Sequence, residues 1–316
     1  MRGHGIAVVG SYATGLTMRV DRLPRRGETL LGKGYRVDFG GKGSNQAVAS
    51  ARLGAKVSFV AKIGRDTFGE MALGLYREEA INIESVLQVP DEPTGVGFII
   101  VDADGHNCIT VDPGANRRLT GAEVSRCLRT LASETIVLTQ LEIPLEAAEA
   151  AMAWGRETGA VTILNPAPAQ ILPKSILALV DILTPNQTEA RILTGRSPEA
   201  DIEPETMARE LIRGGVKQVV MTLGEKGALI VTPKSVTRVP AIDVQVLDTT
   251  GAGDSFNAGL AVALSRGADL EDAVRAAVVT GGLAVIREGV IPSLPTREEV
   301  LQFYQQQGRT PPNWLS

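Results

Sequence analysis

The sequence predicts an α/β fold in which helices cover both faces of a mostly parallel central sheet. Short β-branched runs alternate with helical stretches along most of the 316 residues, and this alternation is typical of such folds. Hydrophobic residues make up 44% of the chain but aromatic residues only 4%, which suits a core of small and aliphatic side chains. The length fits one large domain with a small appendage.

The predicted strands are short apolar runs, and the predicted helices lie between them. The strands are Ile6–Val9, Val57–Ala61, Ile136–Thr139, Val161–Leu164, Ile182–Leu183 and Val219–Leu223. The helices are Asn45–Leu53, Phe68–Glu79, Leu145–Glu157, Thr188–Leu193, Glu205–Arg213, Ser255–Leu264 and Leu270–Val285. Sheets of this kind bind ligands beyond the carboxyl ends of their strands.

Two regions, 12–38 and 94–111, interrupt this alternation and carry few helical signals. Gly95–Val101 and Asn107–Val111 are expected to form a hairpin, because the Asp104-Gly105 pair between them favours a tight turn. We interpret the two regions as one small β-sheet that serves as a lid. Residues 1–11, 39–93 and 112–316 would then form the α/β domain that binds nucleotide and substrate. The alternative is that the two regions are unrelated surface loops.

Composition excludes several classes of protein. The net charge is −4 and no long basic run occurs, so nucleic acid is not an expected partner. Cys108 and Cys127 form no disulfide framework, which suits a reducing, cytoplasmic location. His4 and His106 are too few for a histidine metal site and lie in no ligand-spaced cluster. No targeting segment and no membrane-spanning stretch is evident, so no membrane partner is expected.

The segment from Asp248 to Gly259 is the most informative motif. Gly251 and Gly253 let the backbone approach a ligand closely, and free amides at a helix start favour a phosphate or a developing oxyanion. Asp254 would stand beside that site and take a proton from an attacking hydroxyl. A base and an anion cradle are the minimum equipment for phosphoryl transfer to an alcohol. The alternative is that Asp254 is an ordinary helix N-cap.

A second glycine-rich segment, 40–47, precedes the helix predicted at Asn45–Leu53. Free amides, Lys42 and Asn45 at a helix start suit a polyhydroxylated or anionic ligand. The segment is not a Walker A loop, because neither Ser nor Thr follows Lys42 directly. Neither glycine-rich segment completes the GxGxxG pattern, so a dinucleotide-binding oxidoreductase is the least favoured function.

Polar residues also follow several predicted strands. Each group taken alone could be a cap or a turn. All of them would nevertheless emerge at one edge of a parallel sheet, together with the segment 248–254. The groups are Gln140 to Glu142, Asn165 to Pro168, Pro185 to Glu189, and Thr222 to Gly227.

With these motifs in this order, the chain resembles the ribokinase-like sugar kinases, the PfkB carbohydrate kinases, and within them the ribokinase branch. The resemblance runs from about Val8 to Pro295. It implies a three-layer sandwich with a β-sheet lid, and an ATP-dependent kinase that phosphorylates a hydroxyl of a small sugar, polyol or similar alcohol. The lid pairs two subunits in that branch, so the resemblance also implies a homodimer.

The resemblance assigns roles to matched positions. Asp254 would be the base, and the amides of Gly251, Ala252 and Gly253 the anion hole. The sugar would be held by Gly41, Lys42, Asn45 and Glu142, with Asp254 beside it. The nucleotide would contact Asn186, Thr222, Gly224, Gly227 and Gly253. Asn186 and Glu189 would organise Mg²⁺ through water. The implied K⁺ site comprises Asp248, Thr250, Ala284, Arg287, Gly289 and Ser293, several through backbone carbonyls.

One departure from the ribokinase pattern concerns the substrate. Ala13 and Gly15 stand where ribokinases carry an Asn and an Asp that bind ribose hydroxyls. The substrate would therefore lack or invert those hydroxyls or carry a bulkier group, or a lid residue such as Asp21 or Arg19 would replace the lost contact. A third reading is a non-catalytic sugar- or nucleotide-binding sensor on the same fold. The retained Asp254 and complete anion loop argue against a sensor.

Overall fold

The structure is a computed structural model that describes residues 5–131 and 134–315, so His4 lies outside the described residues. Its strands are β1 Gly5–Val9, β2 Ala13–Arg19, β3 Lys33–Gly40, β4 Lys56–Gly64, β5 Val86–Val89, β6 Val96–Val101, β7 Asn107–Asp112, β8 Glu134–Thr139, β9 Val161–Leu164, β10 Ile182–Leu183, β11 Gln218–Thr222, β12 Ala228–Val231 and β13 Val236–Val239. Its helices are α1 Lys42–Arg52, α2 Thr67–Glu78, α3 Gly121–Leu128, α4 Leu145–Thr158, α5 Lys174–Leu177, α6 Gln187–Leu193, α7 Pro204–Arg213, α8 Ala252–Ser265, α9 Leu270–Ala284 and α10 Arg297–Gln306.

The central sheet has the strand order β13-β12-β11-β10-β9-β8-β1-β4-β5. From β11 to β5 all neighbours are parallel, whereas β12 and β13 are antiparallel additions at one edge. The predicted strands and helices are all present, with ends shifted by a few residues. The largest shifts that concern the site are in α1, which begins at Lys42 rather than Asn45, and in α8, which begins at Ala252 rather than Ser255. The predicted mostly parallel sheet is therefore confirmed.

Helices cover both faces of this sheet, as the side chains of β1 illustrate. Ile6 and Val8 belong to one apolar cluster, and Ala7 and Val9 belong to another. Successive side chains of a strand point to opposite faces, so the two clusters lie on opposite sides of the sheet. Helices α1, α8 and α9 contribute to the first cluster, and α3, α4 and α7 to the second. The three-layer sandwich is confirmed.

A separate small sheet has the order β3-β2-β6-β7. The hairpin predicted around Asp104-Gly105 is present as the antiparallel pair β6 and β7. Strand β2 pairs in parallel with β6 and antiparallel with β3, so the regions 12–38 and 94–111 share one sheet. The alternative of two unrelated excursions is wrong.

Several short elements had no counterpart in the sequence prediction. They are β5, β12, β13, α3, α5 and α10. Most are only four residues long, too short for a period of 2 or 3.6 to stand out. Among the described residues, no helix combines the length and hydrophobicity needed to cross a bilayer.

Candidate active site

The two glycine-rich segments meet where α1 packs against α8. Asn45 Nδ2 donates a hydrogen bond to Asp254 Oδ2 at 2.8 Å, and Gln46 Nε2 donates one to Asp254 Oδ1 at 2.9 Å. Both donors lie in the first turns of α1, and the carboxylate lies in the first turn of α8. Each oxygen of the carboxylate is thus fixed by one amide, which sets the orientation of the group.

Asp254 is not the N-cap of α8, so that alternative is wrong. The N-cap is Gly251, with φ 82°, and α8 begins at Ala252. A left-handed residue at this point favours glycine. Because the helix begins earlier than predicted, Asp254 projects from its first turn toward α1 and is only 6% exposed.

Gln46 lies in the glycine-rich segment 40–47, but the sequence analysis assigned no role to it. Its side chain is fully buried, and its Nε2 also donates to Asn165 Oδ1 at 3.1 Å. Its Oε1 accepts a hydrogen bond from Gln140 Nε2 at 2.5 Å. The polar residues after β8 and β9 therefore reach the carboxylate of Asp254 through Gln46. The position of Gln46, beside Asn45 at a helix start, was the available signal.

Burial raises the pKa of Asp254 above its ordinary value. The positive charge of Lys42 and the two amide hydrogen bonds act in the opposite direction and favour the carboxylate. A carboxyl group that is buried yet supported in this way is a plausible proton acceptor, since a raised pKa makes it a stronger base.

Lys42 connects the acidic groups of the site. Burial acts to lower its pKa, but the negative charges of Asp254, Glu142 and Glu189 together raise it. These three acids come from α8, from the loop after β8 and from α6. The charge of Lys42 thus acts on all three acids of the site.

Glu142 holds the start of α1. Its Oε2 accepts hydrogen bonds from Ser11 Oγ at 2.6 Å and from the Lys42 amide at 2.8 Å. Gly41, the N-cap of α1, lies against the turn after β1, and a Cβ there would sit 2.7 Å from Tyr12 Cα. Glycine is required at this close approach.

The anion loop precedes and begins α8. The amides of Gly251 and Gly253 have no acceptor among the described residues, whereas the Ala252 amide donates to Thr249 O at 3.3 Å. Gly253 is exposed, and a Cβ added there would meet nothing within 4 Å. Asn257 Nδ2 donates to Gly253 O at 2.8 Å and so fixes the first turn. Two of the three amides predicted for the anion hole are therefore free.

Asn186 and Glu189 form the capping box of α6. Asn186 Oδ1 accepts from the Glu189 amide at 2.8 Å, and Glu189 Oε2 accepts from the Asn186 amide at 2.8 Å. The cap interpretation of this motif is thus correct for Asn186 Oδ1 and Glu189 Oε2. Glu189 Oε1 has no hydrogen bond among the described residues. Burial raises the pKa of Glu189, and the Asn186 amide and the Lys42 charge oppose that effect.

The predicted nucleotide residues lie beside this cap. Thr222, the last residue of β11, forms a parallel bridge with Asn186, and its amide donates to Pro185 O at 3.0 Å. Gly224 and Gly227 bound the tight turn between β11 and β12. Asn186, Thr222 and this turn thus share one edge of the central sheet.

Two of the positions predicted for K⁺, Thr250 and Gly289, contact a third, Asp248. Its Oδ1 accepts from the Thr250 hydroxyl at 2.7 Å, and its Oδ2 accepts from the Gly289 amide at 3.0 Å. Burial acts to raise the pKa of Asp248, but these hydrogen bonds lower it and the charge of Arg36 lowers it further. Ser293 Oγ donates to Val290 O at 2.8 Å.

Arg287 and Ala284 are two further positions predicted for K⁺. Arg287 Nη2 lies 2.8 Å from Glu299 Oε1, so its side-chain charge already has a partner. Ala284 is the last residue of α9. Oxygen ligands at this place therefore have to come from Asp248, the hydroxyls of Thr250 and Ser293, and backbone carbonyls, which is a donor set that suits a hard cation.

Two lid residues proposed to replace the lost sugar contacts lie far along β2. Arg19 is the last residue of that strand, and Asp21 lies beyond it, 3.1 Å from Lys33 Nζ.

His106 lies in a cluster with Asp102 and Asp104 in the turn between β6 and β7. The prediction that His106 lies in no ligand-spaced cluster is therefore wrong.

Comparison with known proteins adds to this geometry. The profile of the pfkB family carbohydrate kinases matches residues 4–297. Ribokinase from Haemophilus influenzae is 38% identical over 301 residues, which cover 95% of this chain and 98% of that protein. Deoxyribokinase from Salmonella typhimurium is 35% identical over 299 residues, covering 94% and 98%. The solved structure of Arabidopsis thaliana ribokinase complexed with ribose and ATP superimposes with a TM-score of 0.88 and 32% identity, covering 96% of this chain and 98% of that one.

The α/β sandwich, its separate small sheet and these matches define a ribokinase-like sugar kinase. The match across nearly the whole length shows that the chain belongs to the PfkB family of carbohydrate kinases.

Proposed function

We propose that this protein transfers the γ-phosphoryl group of ATP to a hydroxyl of a small sugar or sugar-like alcohol. The observation that carries the proposal is the buried carboxylate of Asp254, held on both oxygens by Asn45 and Gln46 beside two free helix amides. The family membership and the relatives named ribokinase and deoxyribokinase support the same reaction class.

In this proposal Asp254 Oδ1 or Oδ2 accepts the proton of the attacking hydroxyl. The Gly251 and Gly253 amides donate to the phosphoryl oxygens, where charge is concentrated. The partial positive charge of the α8 amino terminus supports them. The Ala252 amide contributes less, because Thr249 O already accepts from it. Lys42 stabilises both the ionised base and the transferred group by its charge.

The sugar is held where α1 begins. Asn45 Oδ1 is buried and has no hydrogen-bond partner among the described residues, and an unpaired buried acceptor of this kind costs about 1–3 kcal/mol. A substrate hydroxyl that donates to Asn45 Oδ1 would remove that cost. Gly41, Lys42 and Glu142 complete the pocket on the lid side of Asp254.

In this proposal ATP would be held by Asn186, Thr222, Gly224 and Gly227, and Gly253 would contact its γ-phosphate. Mg²⁺ fits near Glu189, because the free Oε1 of that side chain can bind a metal-bound water while Oε2 remains in the cap. The metal supplies charge neutralisation at the phosphates. K⁺ at Asp248, Thr250, Ala284, Arg287, Gly289 and Ser293 would stiffen the anion loop from behind.

The outer face of the small sheet supports a homodimer. Leu16 pairs with Val37 on one side and with Phe98 on the other, so these three side chains share one face of the sheet. Phe98 is 54% exposed and Tyr35, on the same face, 59%. Apolar side chains clustered in this way mark an interaction surface. A second copy of the same sheet is the partner that we propose.

The experiment that tests the function is an ADP-release assay with ATP, Mg²⁺ and a panel of pentoses, hexoses and polyols. We expect at least one sugar to stimulate ADP release and to be recovered as its phosphate by mass spectrometry. Sugar binding by calorimetry without any turnover would favour the non-catalytic sensor. Failure of every panel member both to bind and to turn over would overturn the proposal.

A further inference from the structure

We propose that Asp38, on β3 of the small sheet, binds a hydroxyl of the substrate and thereby sets its specificity. The inference rests on the proposed function and names the residue that reads the sugar from the lid side. Asp38 lies directly opposite Gly15 in the antiparallel pair of β2 and β3. The Asp38 side chain therefore lies on the same face of the sheet as position 15 and directly beside it.

The Asp38 side chain starts beside the space that Gly15 leaves, and its carboxylate lies near Thr17 and Arg36 on the same face of the sheet. A Cβ built on Gly15 would lie 3.7 Å from Asp38 Cβ, and its nearest neighbour would be Ile99 Cδ1 at 3.6 Å. No side chain of Gly15 or Ala13 fills this part of the face. A carboxylate that starts from the opposite strand can therefore reach the volume that a longer residue at 15 would occupy.

The face that carries Asp38 is turned toward the candidate active site. Arg36, Asp38 and Gly40 alternate along β3 and so project to one side. The charge of Arg36 acts on Asp248, which begins the anion loop. Strand β3 also contacts the turn Ile291–Ser293, whose neighbour Val290 lies against Gly251. At about 3.3 Å per residue, Asp38 stands roughly 7 Å along the strand from Gly40, where α1 is about to begin.

The Asp38 carboxylate is only weakly engaged within the protein. Its Oδ2 lies 3.4 Å from Arg36 Nη2 and accepts from Thr17 Oγ1 at 3.5 Å. Both members of the ion pair are more than one third exposed, and such pairs stabilise little. Oδ1 has no hydrogen bond among the described residues. The group can therefore accept from a ligand hydroxyl without giving up a strong contact.

Asp21, the other acidic residue suggested for this role, is less well placed. Its side chain is 87% exposed and pairs with Lys33 at the far end of the β2 and β3 ladder. It therefore provides a matched control. Asp21→Ala removes a lid carboxylate of the same chemistry just beyond the end of β2 without touching the position opposite Gly15.

The test compares wild type, Asp38→Asn, Asp38→Ala and Asp21→Ala with D-ribose, 2-deoxy-D-ribose, D-xylose, D-arabinose and ribitol as probes. Calorimetry measures sugar binding and ADP release measures turnover, so the inference is tested even if catalysis fails. For the sugar that wild type prefers, we expect Asp38→Asn and Asp38→Ala to lose at least ~10-fold in affinity and in kcat/KM. The KM for ATP and the response of Asp21→Ala should stay within about two-fold of wild type.

A variant that carries the carboxylate on β2 instead of β3 distinguishes a role in substrate recognition from a role in folding of the lid. The double variant Gly15→Asp with Asp38→Ala keeps one carboxylate on the same face and should recover binding of at least one probe. Equal binding of all probes by wild type and both Asp38 variants would overturn the inference while leaving the kinase proposal intact. A loss that accompanies a lower melting temperature, without recovery in the double variant, would also overturn it.

Discussion

Asn45 Nδ2 donates to Asp254 Oδ2 at 2.8 Å, although the two residues are 209 positions apart in the chain. This contact joins the start of α1 to the start of α8. It brings the proposed sugar-binding segment and the proposed anion loop into one site. The neighbouring Gln46 secures the second oxygen of the same carboxylate at 2.9 Å. Residues of α1 therefore orient the carboxylate that α8 supplies.

The first prediction is that Asp254→Asn loses turnover but keeps the fold. General base catalysis contributes about 10²–10⁴-fold, and we expect kcat to fall within that range. The carboxamide has nearly the same shape, and the unpaired Oδ1 of Asn45 allows that side chain to flip and accept from it. ATP binding by calorimetry and the melting temperature should change little. A variant that keeps half the wild-type kcat would show that Asp254 is not the base.

The second prediction concerns Gln46→Met, which keeps the length of the side chain but removes its donor. The hydrogen bond from Gln46 favours the ionised form of Asp254, so its loss should raise the pKa of that base further. Catalysis needs the carboxylate, and kcat falls as pH drops through the pKa. The acid limb of the kcat profile should therefore move to higher pH, and kcat at its plateau should drop about 10-fold.

Gln88→Met, in the partly buried edge strand β5, serves as the matched control for Gln46→Met. Gln88 donates only to Glu70, at 3.2 Å, and lies outside the candidate site. Its substitution should leave the pH profile unchanged. An unshifted acid limb in Gln46→Met, with a lower melting temperature alone, would limit Gln46 to a structural role.

Asp254 and Gln46 also show how much of the candidate site could be predicted from the sequence. Asp254 was identifiable because its glycines and its helix are contiguous in sequence. Gln46 was visible in the same kind of motif, but its role depends on contacts with Gln140 and Asn165, which arrive from two other strands. The position of Asp38 opposite Gly15 depends on the register of β2 and β3. Residues 20–32 separate these two strands, so no short turn fixes their register.

The third prediction concerns monovalent cations. Activity should rise when K⁺ replaces tetramethylammonium at constant ionic strength, because Asp248, Thr250 and Ser293 offer oxygens behind the anion loop. Asp248→Asn should weaken that response, since the carboxylate charge is the strongest attraction for a cation at this place. The Arg287 side chain is paired with Glu299 and does not compensate for the cation. Equal rates in K⁺, NH₄⁺, Cs⁺ and the organic cation would reject an activating site.

The fourth prediction concerns assembly through the small sheet. Wild type should elute and scatter light as a particle of twice the 33.4 kDa chain mass. Phe98→Glu places a charge in the centre of the apolar outer face and should yield monomers. Ile171→Glu is the matched control, because Ile171 is also apolar and 70% exposed but lies outside both sheets. A monomeric wild type, or a dimeric Phe98→Glu variant, would contradict assembly through this face.

The last prediction is that D-ribose is a poor substrate. Ala13 and Gly15 provide no side-chain hydrogen bonds where the ribokinase branch has an Asn and an Asp, and an unpaired buried hydroxyl costs about 1–3 kcal/mol. We expect kcat/KM for ribose to lie at least ~100-fold below that of the best sugar in the panel, which corresponds to about 2.7 kcal/mol. The proposed role of Asp38 sharpens this expectation, because a carboxylate that starts from β3 approaches the sugar from a different direction than one on β2. The double variant Ala13→Asn, Gly15→Asp should raise ribose activity, since a Cβ at Gly15 has no neighbour closer than 3.6 Å. Adding Asp38→Ala to this double variant should raise ribose activity further, because two carboxylates on adjacent strands repel each other. Steady-state kinetics in which wild type prefers ribose, with a KM in the micromolar to millimolar range, would show instead that Asp38 fully replaces the missing pair.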